Sequence, residues 1–240
     1  MDISKLTKPA RKLLPLKYTG AVIVAAGNAS RMGGIDKVMA NIQGEPMILR
    51  TVRTFQNCDP ISEIVIVTRE DLIVPISNLC KNMPKVKAVV CGGKSRQESV
   101  HLGLNALSDK VKLAAVHDGA RPLITWQVID RVVRAANSYG AAAPAIPVKD
   151  TIKVVEGRVV KHTPDRATLF AVQTPQVFDF DMLRGALKHA ETTGAQVTDD
   201  CSAVELMGVS VKIVEGDERN IKVTTPMDLK IAEMLLEELT

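Results

Sequence analysis

Residues 25–37, with the sequence AAGNASRMGGIDK, combine small residues with two cations, Arg31 and Lys37. Small residues allow backbone N–H groups to approach an anion closely. Arginine can donate two parallel hydrogen bonds to phosphate oxygens, and lysine adds a compact positive charge. The segment could therefore wrap a nucleoside triphosphate. An ordinary turn between a strand and a helix, with both cations in solvent, explains it about equally well.

Four further segments carry charged or hydroxyl side chains next to predicted strands. HDGARP contains Asp118 and Arg121, and ERNIKVTTP contains Lys222. PDR contains Arg166, and VKDT contains Thr151. An aspartate in this setting can hold Mg²⁺ against phosphates. Each residue alone is typical of a solvated surface, but together they place cations, a carboxylate and a hydroxyl at one expected ligand edge.

Two familiar nucleotide motifs are excluded by their spacing. The segment GGKS at 92–95 resembles the end of a P-loop, but the glycine required five residues before Gly93 is Ala88. The dinucleotide fingerprint requires a second glycine two residues after Gly27, where Ala29 stands. An NAD(P)-dependent oxidoreductase therefore remains only an alternative from a different functional class.

Strands and helices alternate along the chain. Short apolar runs predict buried strands, and apolar residues at helical intervals predict helices. Pro75 leaves the start of the second helix open. Strands are predicted at 21–27, 63–68, 87–93, 113–122, 141–148, 169–178 and 209–216. Helices are predicted at 47–55, 70–82, 95–107, 126–140, 181–194 and 224–239.

Helix ends are indicated by their capping residues. Ser95 and Glu98 have the spacing of a capping box, and Thr125 is the expected N-cap of the following helix. Gly140 is expected to end that helix. Thr225 and Pro226 fit the N-cap and the first position of the last helix.

The alternation predicts an α/β fold with a doubly wound, mostly parallel, Rossmann-like sheet and helices on both faces. Ligands in such sheets bind beyond the carboxyl ends of the strands. The alternating pattern of 150–163 predicts a β-hairpin, which would form a projecting arm over about 149–167. We expect residues 1–17 to be an N-terminal extension and 18–240 to be one domain.

Composition excludes several classes. The formal net charge of +4 suits an anionic small ligand and is too weak to indicate nucleic acid binding. Without an apolar run near the ~20 residues of a membrane span, a cytoplasmic location is expected. The four separated cysteines predict buried free thiols; they are Cys58, Cys80, Cys91 and Cys201.

In its ordered motifs the chain resembles the 2-C-methyl-D-erythritol 4-phosphate cytidylyltransferases of the non-mevalonate isoprenoid pathway. The resemblance runs from about residue 18 to the C-terminus. Many sugar-phosphate nucleotidyltransferases share the first motif, whereas HDGARP with QTPQ and NIKVTTP is much more specific. The motifs are AAGNASRMG, GGKSRQESV, HDGARP, VKDTIK, TPDR, QTPQVF and EGDERNIKVTTPMDL.

The resemblance implies that CTP and 2-C-methyl-D-erythritol 4-phosphate are joined, with Mg²⁺, to give the CDP-alcohol and pyrophosphate. It implies that Arg31 and Lys37 stabilise charge on the α-phosphate and the departing pyrophosphate. Arg166 and Lys222 would position the sugar-alcohol phosphate.

The remaining roles also come from the resemblance. Thr151 and Arg121 would assist binding of the alcohol phosphate, and Asp118 would bind both nucleotide and metal. The family is homodimeric, so the hairpin arm would reach across and bring Thr151 and Arg166 to the neighbouring active site. The other nucleotide-binding positions are Ala25, Ala26, Gly27, Asn28, Gly93 and Ser99.

Some positions depart from the family pattern. Arg219 precedes the NIK segment where relatives often carry an acidic residue, which leaves Asp217 or Glu218 open as a second metal ligand. Lys94 stands where relatives often have a small or acidic residue. No histidine is required as a base, and His117 is expected to be a strand-end residue.

Two other functions stay open from the residues. A cytidylyltransferase for a pentitol phosphate such as ribitol 5-phosphate would share the CTP site and differ around the arm. A non-catalytic nucleotide sensor would keep the pocket, although the presence of Arg31, Lys37 and Lys222 favours catalysis.

Overall fold

The computed structural model describes residues 15–27 and 38–237, and its central element is one eight-stranded sheet. The strands are β1 Thr19–Val24, β2 Asn41–Ile42, β3 Glu45–Pro46, β4 Ile61–Thr68, β5 Val86–Cys91, β6 Leu113–Asp118, β7 Ala141–Pro147, β8 Val154–Glu156, β9 Val159–His162, β10 Phe170–Val172, β11 Gln176–Asp179 and β12 Lys212–Glu215. The helices are α1 Met47–Gln56, α2 Ile73–Leu79, α3 Arg96–Asn105, α4 Trp126–Tyr139, α5 Phe180–Thr193, α6 Asp200–Glu205 and α7 Pro226–Glu237.

The sheet is mostly parallel around its central strand. The order is β10-β7-β11-β6-β1-β4-β5, and β12 also pairs with β7. β1 runs parallel to both β4 and β6, whereas β11 runs antiparallel to β6 and β7. The α/β prediction is therefore confirmed. The predicted strand 169–178 is two strands, since Pro175 has no N–H to donate and the segment leaves the ladder after Val172.

Alternate residues of β1 serve two hydrophobic cores, one on each face of the sheet. Ala21 and Ile23 pack into the core that α1, α2 and α4 cover. Val22 packs into the core that α3, α5 and α6 cover. This alternation confirms helices on both faces and explains the apolar runs in the sequence.

The observed helix caps agree in part with those predicted from the sequence. The Ser95 hydroxyl accepts a hydrogen bond from the Glu98 N–H at 3.0 Å, but the Glu98 carboxylate accepts from the Lys94 N–H at 2.6 Å instead of completing the box. Thr125 is the N-cap residue of α4, as predicted, although its side chain makes no capping hydrogen bond. Thr225 caps α7 as expected, accepting from the Asp228 N–H at 3.2 Å.

The predicted hairpin is present as β8 and β9. Its two turn residues, Gly157 and Arg158, have φ angles of 54° and 68°. A two-residue turn with positive φ at both positions matches the right-handed twist of the paired strands. The six-residue α6 is absent from the sequence prediction because it is too short to show helical periodicity.

The prediction of four buried thiols is wrong at one position. Cys58, Cys80 and Cys201 are buried, and burial raises the pKa of Cys80 to about 11. Cys91 is exposed because it ends β5, the edge strand of the sheet. Within the described chain, every helix falls short of the length and apolarity needed to cross a membrane.

Gly103 allows α3 to lie close against the sheet. A Cβ at this position would stand 2.7 Å from Cγ2 of Val67 and would also clash with Val22. We expect Gly103→Ala to destabilise the protein by about 1–3 kcal/mol through overpacking. Urea unfolding followed by circular dichroism measures this change.

Gly185 is a matched control for this prediction. It lies inside α5, and a Cβ there would meet nothing within 4 Å. Gly185→Ala should stabilise the protein by about 0.5–1 kcal/mol, because alanine is the better helix former. Similar unfolding midpoints for the two variants would contradict the packing argument.

Candidate active site

A cavity of about 380 Å³ opens at the carboxyl ends of β1 and β6, beside the N-terminus of α3. This is the edge at which parallel α/β sheets bind ligands. The described lining residues are Val24, Ala25, Ala26, Gly27, Val38, Gly93, Lys94, Ser95, Arg96, Ser99, Asp118, Ala120 and Lys222.

The turn after β1 enters the cavity directly from the sheet. The Ala25 N–H donates to the Val67 carbonyl at 2.7 Å, so the chain stays in the ladder until the small residues begin. Ala25, Ala26 and Gly27, which the resemblance assigns to nucleotide binding, then line the cavity. The predicted site residues Asn28, Arg31 and Lys37 lie outside the described residues.

The loop before α3 forms the opposite wall. The Gly93 N–H donates to the Ser99 hydroxyl at 3.1 Å, and that hydroxyl donates to the Ser95 carbonyl at 2.8 Å. A Cβ on Gly92 would lie 2.9 Å from the same hydroxyl. The Ser99 hydroxyl therefore holds this loop in place, and its closeness to Gly92 leaves no room for a side chain at position 92. Both predicted residues, Gly93 and Ser99, reach the cavity wall.

Asp118 is the carboxylate at the centre of the site. Its Oδ2 lies 2.8 Å from the Lys222 Nζ and 3.6 Å from the Arg121 Nε, and its Oδ1 lies 3.6 Å from the Arg96 Nε. Burial raises the pKa of Asp118, but the positive charges of Lys222, Arg96 and Arg121 outweigh burial and lower the pKa to about 2. The site therefore holds a permanent anion among three cations.

Arg96 is a site residue that the sequence analysis missed. Its Nη2 lies 2.8 Å from Oδ2 of Asp200, a carboxylate whose side chain is only 1% exposed. Burial lowers the pKa of Arg96, but Asp200, Asp118 and Asp199 raise it by more, so the guanidinium stays charged. The signal in sequence was the arginine three residues after the glycine pair, inside the GGKSRQESV motif, to which the sequence analysis gave no role.

A hydrogen-bonded loop directs Lys222 at Asp118. The Gln173 side chain exchanges two hydrogen bonds with the backbone of Asp217, at 2.8 and 3.2 Å. The Asn220 side-chain amide donates to the Thr174 carbonyl at 2.9 Å. These contacts tie the loop after β12 to the segment between β10 and β11, and they bring Lys222 to the cavity.

His117 supports the site and has no free nitrogen for catalysis. Its Nδ1 lies 3.0 Å from the Thr174 hydroxyl, and its Nε2 lies 3.4 Å from the Arg121 carbonyl. Burial lowers the pKa of His117 to about 3, so the ring is neutral near pH 7. The expectation of a strand-end role is confirmed.

Three predicted site residues are not among the described lining of the cavity. Arg121 is 12% exposed and donates to the Asn220 carbonyl at 2.7 Å, so it supports the wall from behind. Thr151 and Arg166 lie at the base of the arm, where the Arg166 Nη1 donates to the Lys149 carbonyl at 2.9 Å. Both are exposed.

The candidates for a second metal ligand are engaged elsewhere. Asp217 accepts two hydrogen bonds from the guanidinium of Arg219, at 2.8 and 3.0 Å, and one from its backbone N–H at 2.9 Å, and these contacts lower the pKa of Asp217. Glu218 pairs with Lys149 at 2.6 Å. The described residues contain no group of three possible ligands. Asp118 alone, an ionised oxygen ligand at the cavity wall, fits a Mg²⁺ ion that takes its other oxygens from phosphates and water.

Comparisons with known proteins show which family the chain resembles along most of its length. The model of the 2-C-methyl-D-erythritol 4-phosphate cytidylyltransferase family matches residues 19–238. The enzyme of that name from Symbiobacterium thermophilum is 46% identical over 219 residues, covering 90% of this chain and 92% of that protein. The one from Geobacillus kaustophilus is 43% identical over 219 residues, covering 90% and 96%.

Solved structures give the same relationship. The 4-diphosphocytidyl-2C-methyl-D-erythritol synthase of Anaerococcus prevotii superposes with a TM-score of 0.84 at 29% identity, covering 92% of this chain and 96% of that one. The 2-C-methyl-D-erythritol 4-phosphate cytidylyltransferase of Thermus thermophilus superposes with a TM-score of 0.76 at 31% identity, covering 90% and 98%.

The lowered pKa of Asp118 has a consequence for stability. Above the pKa of about 4 that an aspartate has in the unfolded chain, the ionised carboxylate stabilises the folded protein. This stabilisation is lost as the pH falls toward about 2, the pKa of Asp118 in the folded protein. Asp118→Asn should therefore lower the free energy of unfolding by roughly 2 kcal/mol at pH 7 and by about half as much at pH 3. Urea unfolding at both pH values measures this difference.

Asp109, an exposed carboxylate, is the control. Asp109→Asn should change the free energy of unfolding by less than about 0.5 kcal/mol at either pH. If the penalty of Asp118→Asn were equal at pH 7 and pH 3, the ion pairs around Asp118 would not be its source.

Proposed function

Because the chain belongs to the 2-C-methyl-D-erythritol 4-phosphate cytidylyltransferase family, we propose that it transfers the cytidylyl group of CTP to 2-C-methyl-D-erythritol 4-phosphate and releases pyrophosphate. The location we propose is the cytoplasm, where CTP is available and free thiols such as Cys91 persist.

One observation carries this proposal: Asp118, Lys222 and Arg96 line the same cavity as the small-residue turn after β1. Lys222 contacts Oδ2 of Asp118, and Arg96 lies near Oδ1 of the same carboxylate. Ala25 and Gly27 leave space for backbone contact with phosphates. A cavity with this balance of charge suits two polyanions that must approach each other.

The reaction requires alignment and charge stabilisation more than an enzyme nucleophile. An oxygen of the alcohol phosphate attacks the α-phosphorus in line, and the bond to the pyrophosphate oxygen breaks. A phosphate monoester is already largely ionised near pH 7, so no base is needed. Cations beside the reacting phosphates act most strongly where negative charge grows in the transition state, which is the role we propose for Arg31, Lys37 and Lys222.

We propose that Asp118 is the residue that would hold a Mg²⁺ ion bound together with the nucleotide. When bound, the ion neutralises phosphate charge and assists departure of pyrophosphate. The carboxylate stays ionised because its pKa is about 2. Lys222 must then exchange its contact with Asp118 for one with the alcohol phosphate.

The two substrates would occupy different halves of the site. The nucleotide half consists of the turn after β1 with Gly93 and Ser99 on the opposite wall; its members are Ala25, Ala26, Gly27, Asn28, Gly93, Ser99 and Asp118. The alcohol-phosphate half would use Lys222 with Arg121, Arg166 and Thr151.

We infer that the arm mediates a homodimer. Its apolar side chains are exposed in the isolated chain and would be costly to leave in water. In such a dimer Arg166 and Thr151 would serve the neighbouring active site. The exposed apolar side chains of the arm are Ile152, Val154, Val155, Val159 and Val160.

A pyrophosphate-release assay tests the function directly. The chain should release pyrophosphate from CTP with 2-C-methyl-D-erythritol 4-phosphate, and much more slowly with ribitol 5-phosphate. Faster turnover of ribitol 5-phosphate would favour the pentitol alternative, and CTP binding without any turnover would favour a sensor. The family match removes the oxidoreductase alternative.

Lys37 is expected to act mainly in the transition state. Lys37→Ala should lower kcat by about 100-fold while weakening CTP binding much less, because the charge it stabilises grows during bond breaking. Steady-state kinetics and calorimetric titration with CTP separate the two effects. A change confined to CTP affinity would contradict this role.

Arg166 is expected to bind the alcohol phosphate. Arg166→Ala should raise KM for that substrate by about ten-fold and leave KM for CTP unchanged, because a charge-assisted contact to phosphate is lost. Lys161→Ala removes another exposed cation of the arm, paired with Glu156, and should leave both KM values unchanged.

Mixing two variants tests whether the arm crosses between subunits. In a heterodimer of Arg166→Ala and Lys222→Ala chains, one active site would regain both cations if the arm serves its neighbour. Activity should therefore recover on mixing. Without recovery, and with a dimer shown by sedimentation, Arg166 would act within its own chain.

A further inference from the structure

We propose that Asp200 is a positioning residue for the nucleotide half of the cavity, acting through Arg96. Asp200 begins α6 and is almost completely buried, whereas Arg96 lies on the cavity wall. This inference rests on the proposed function and adds a residue that has no place among the roles described above.

The geometry makes Arg96 a rigid bridge between two carboxylates. Its Nη2 lies 2.8 Å from Asp200, and its Nε lies 3.6 Å from Asp118. Because the guanidinium is planar and rigid, holding Nη2 restricts where Nε can lie. Asp200 thus determines how closely Arg96 approaches Asp118.

Asp200, which holds Arg96, is itself anchored by a side chain of the sheet. The N–H groups of Asp200 and Cys201 both donate to Oε1 of Gln176 at 3.1 Å. Gln176 belongs to β11, next to β6, which ends in Asp118. The position of Arg96 is therefore set relative to the same sheet that carries Asp118.

Helix capping does not account for Asp200. The neighbouring Asp199 already caps α6, accepting from the Ser202 N–H at 2.9 Å. A buried ion pair is also weak evidence for stability, because desolvation offsets much of its attraction. A buried carboxylate beside a functional cavity is better explained by the position it imposes on its partner.

Loss of the Asp200 charge should weaken the binding of CTP. Without it, the guanidinium is free to close onto Asp118, which then has less charge to offer the metal-bound nucleotide. The alcohol phosphate depends on Lys222 and the arm, on the other side of Asp118. An effect on one substrate and not on the other is the signature of positioning.

Asp200→Asn keeps the shape of the side chain and removes its charge. We expect CTP binding measured by calorimetry to weaken by about ten-fold, kcat to fall, and KM for the alcohol phosphate to stay within about two-fold. Glu63→Gln is the matched control. Glu63 is equally buried but bonds only to Tyr18 and Ser108 among its described contacts, so both substrates should be unaffected.

A double-mutant cycle tests whether the effect passes through Arg96. Arg96→Lys keeps a positive charge but cannot bridge two carboxylates, and it should weaken CTP binding to a similar extent. The double variant should be no weaker than Arg96→Lys alone. Additive losses, or equal losses for the two substrates, would overturn the proposal.

Two further outcomes are decisive. If Asp200→Asn does not fold, Arg96→Lys still tests the bridge, and unchanged CTP affinity in that variant refutes it. If the unaltered chain binds CTP but releases no pyrophosphate with the alcohol phosphate, the proposed function fails while the effect of Asp200→Asn on CTP binding can still be measured.

Discussion

The site depends on one buried carboxylate that is compensated from three directions. Asp118 ends a central strand, and its charge is balanced by a helix residue, Arg96, and by two loop residues, Arg121 and Lys222. An isolated carboxylate at this depth would be strongly destabilised by desolvation. The strand, the helix and the loops that carry these residues must therefore all be in place at once. The charge of Asp118 is balanced only when this part of the fold has formed.

The short segment between β10 and β11 makes this convergence possible. Gln173 binds the backbone of the loop that carries Lys222, and the Thr174 hydroxyl accepts from the Asp118 N–H at 3.1 Å. Gln176 binds the N-terminus of α6 and so places Asp200. Three polar residues in four positions thus align an anion and two cations, which gives the QTPQ motif a structural meaning separate from any contact with substrate.

The sequence predicted the sheet well because buried parallel strands read as continuous apolar runs, as in 64–67 and 113–116. It also placed Asp118 and Lys222 at one edge, since loops that follow parallel strands share that edge. It could not identify Arg96 or Asp200. Their pairing joins residues 104 positions apart through a six-residue helix, and neither periodicity nor a local motif reports such a contact.

The three cations around Asp118 differ in how freely they can leave it. The Lys222 side chain is 44% exposed and makes the shortest contact with the carboxylate, so an incoming phosphate can compete for it. Arg96 and Arg121 are held by Asp200 and by the Asn220 carbonyl. Lys222 can therefore move from Asp118 to a phosphate during the reaction, while Arg96 and Arg121 still balance the charge of the carboxylate. Preorganised charge of this kind costs little reorganisation when the transition state forms.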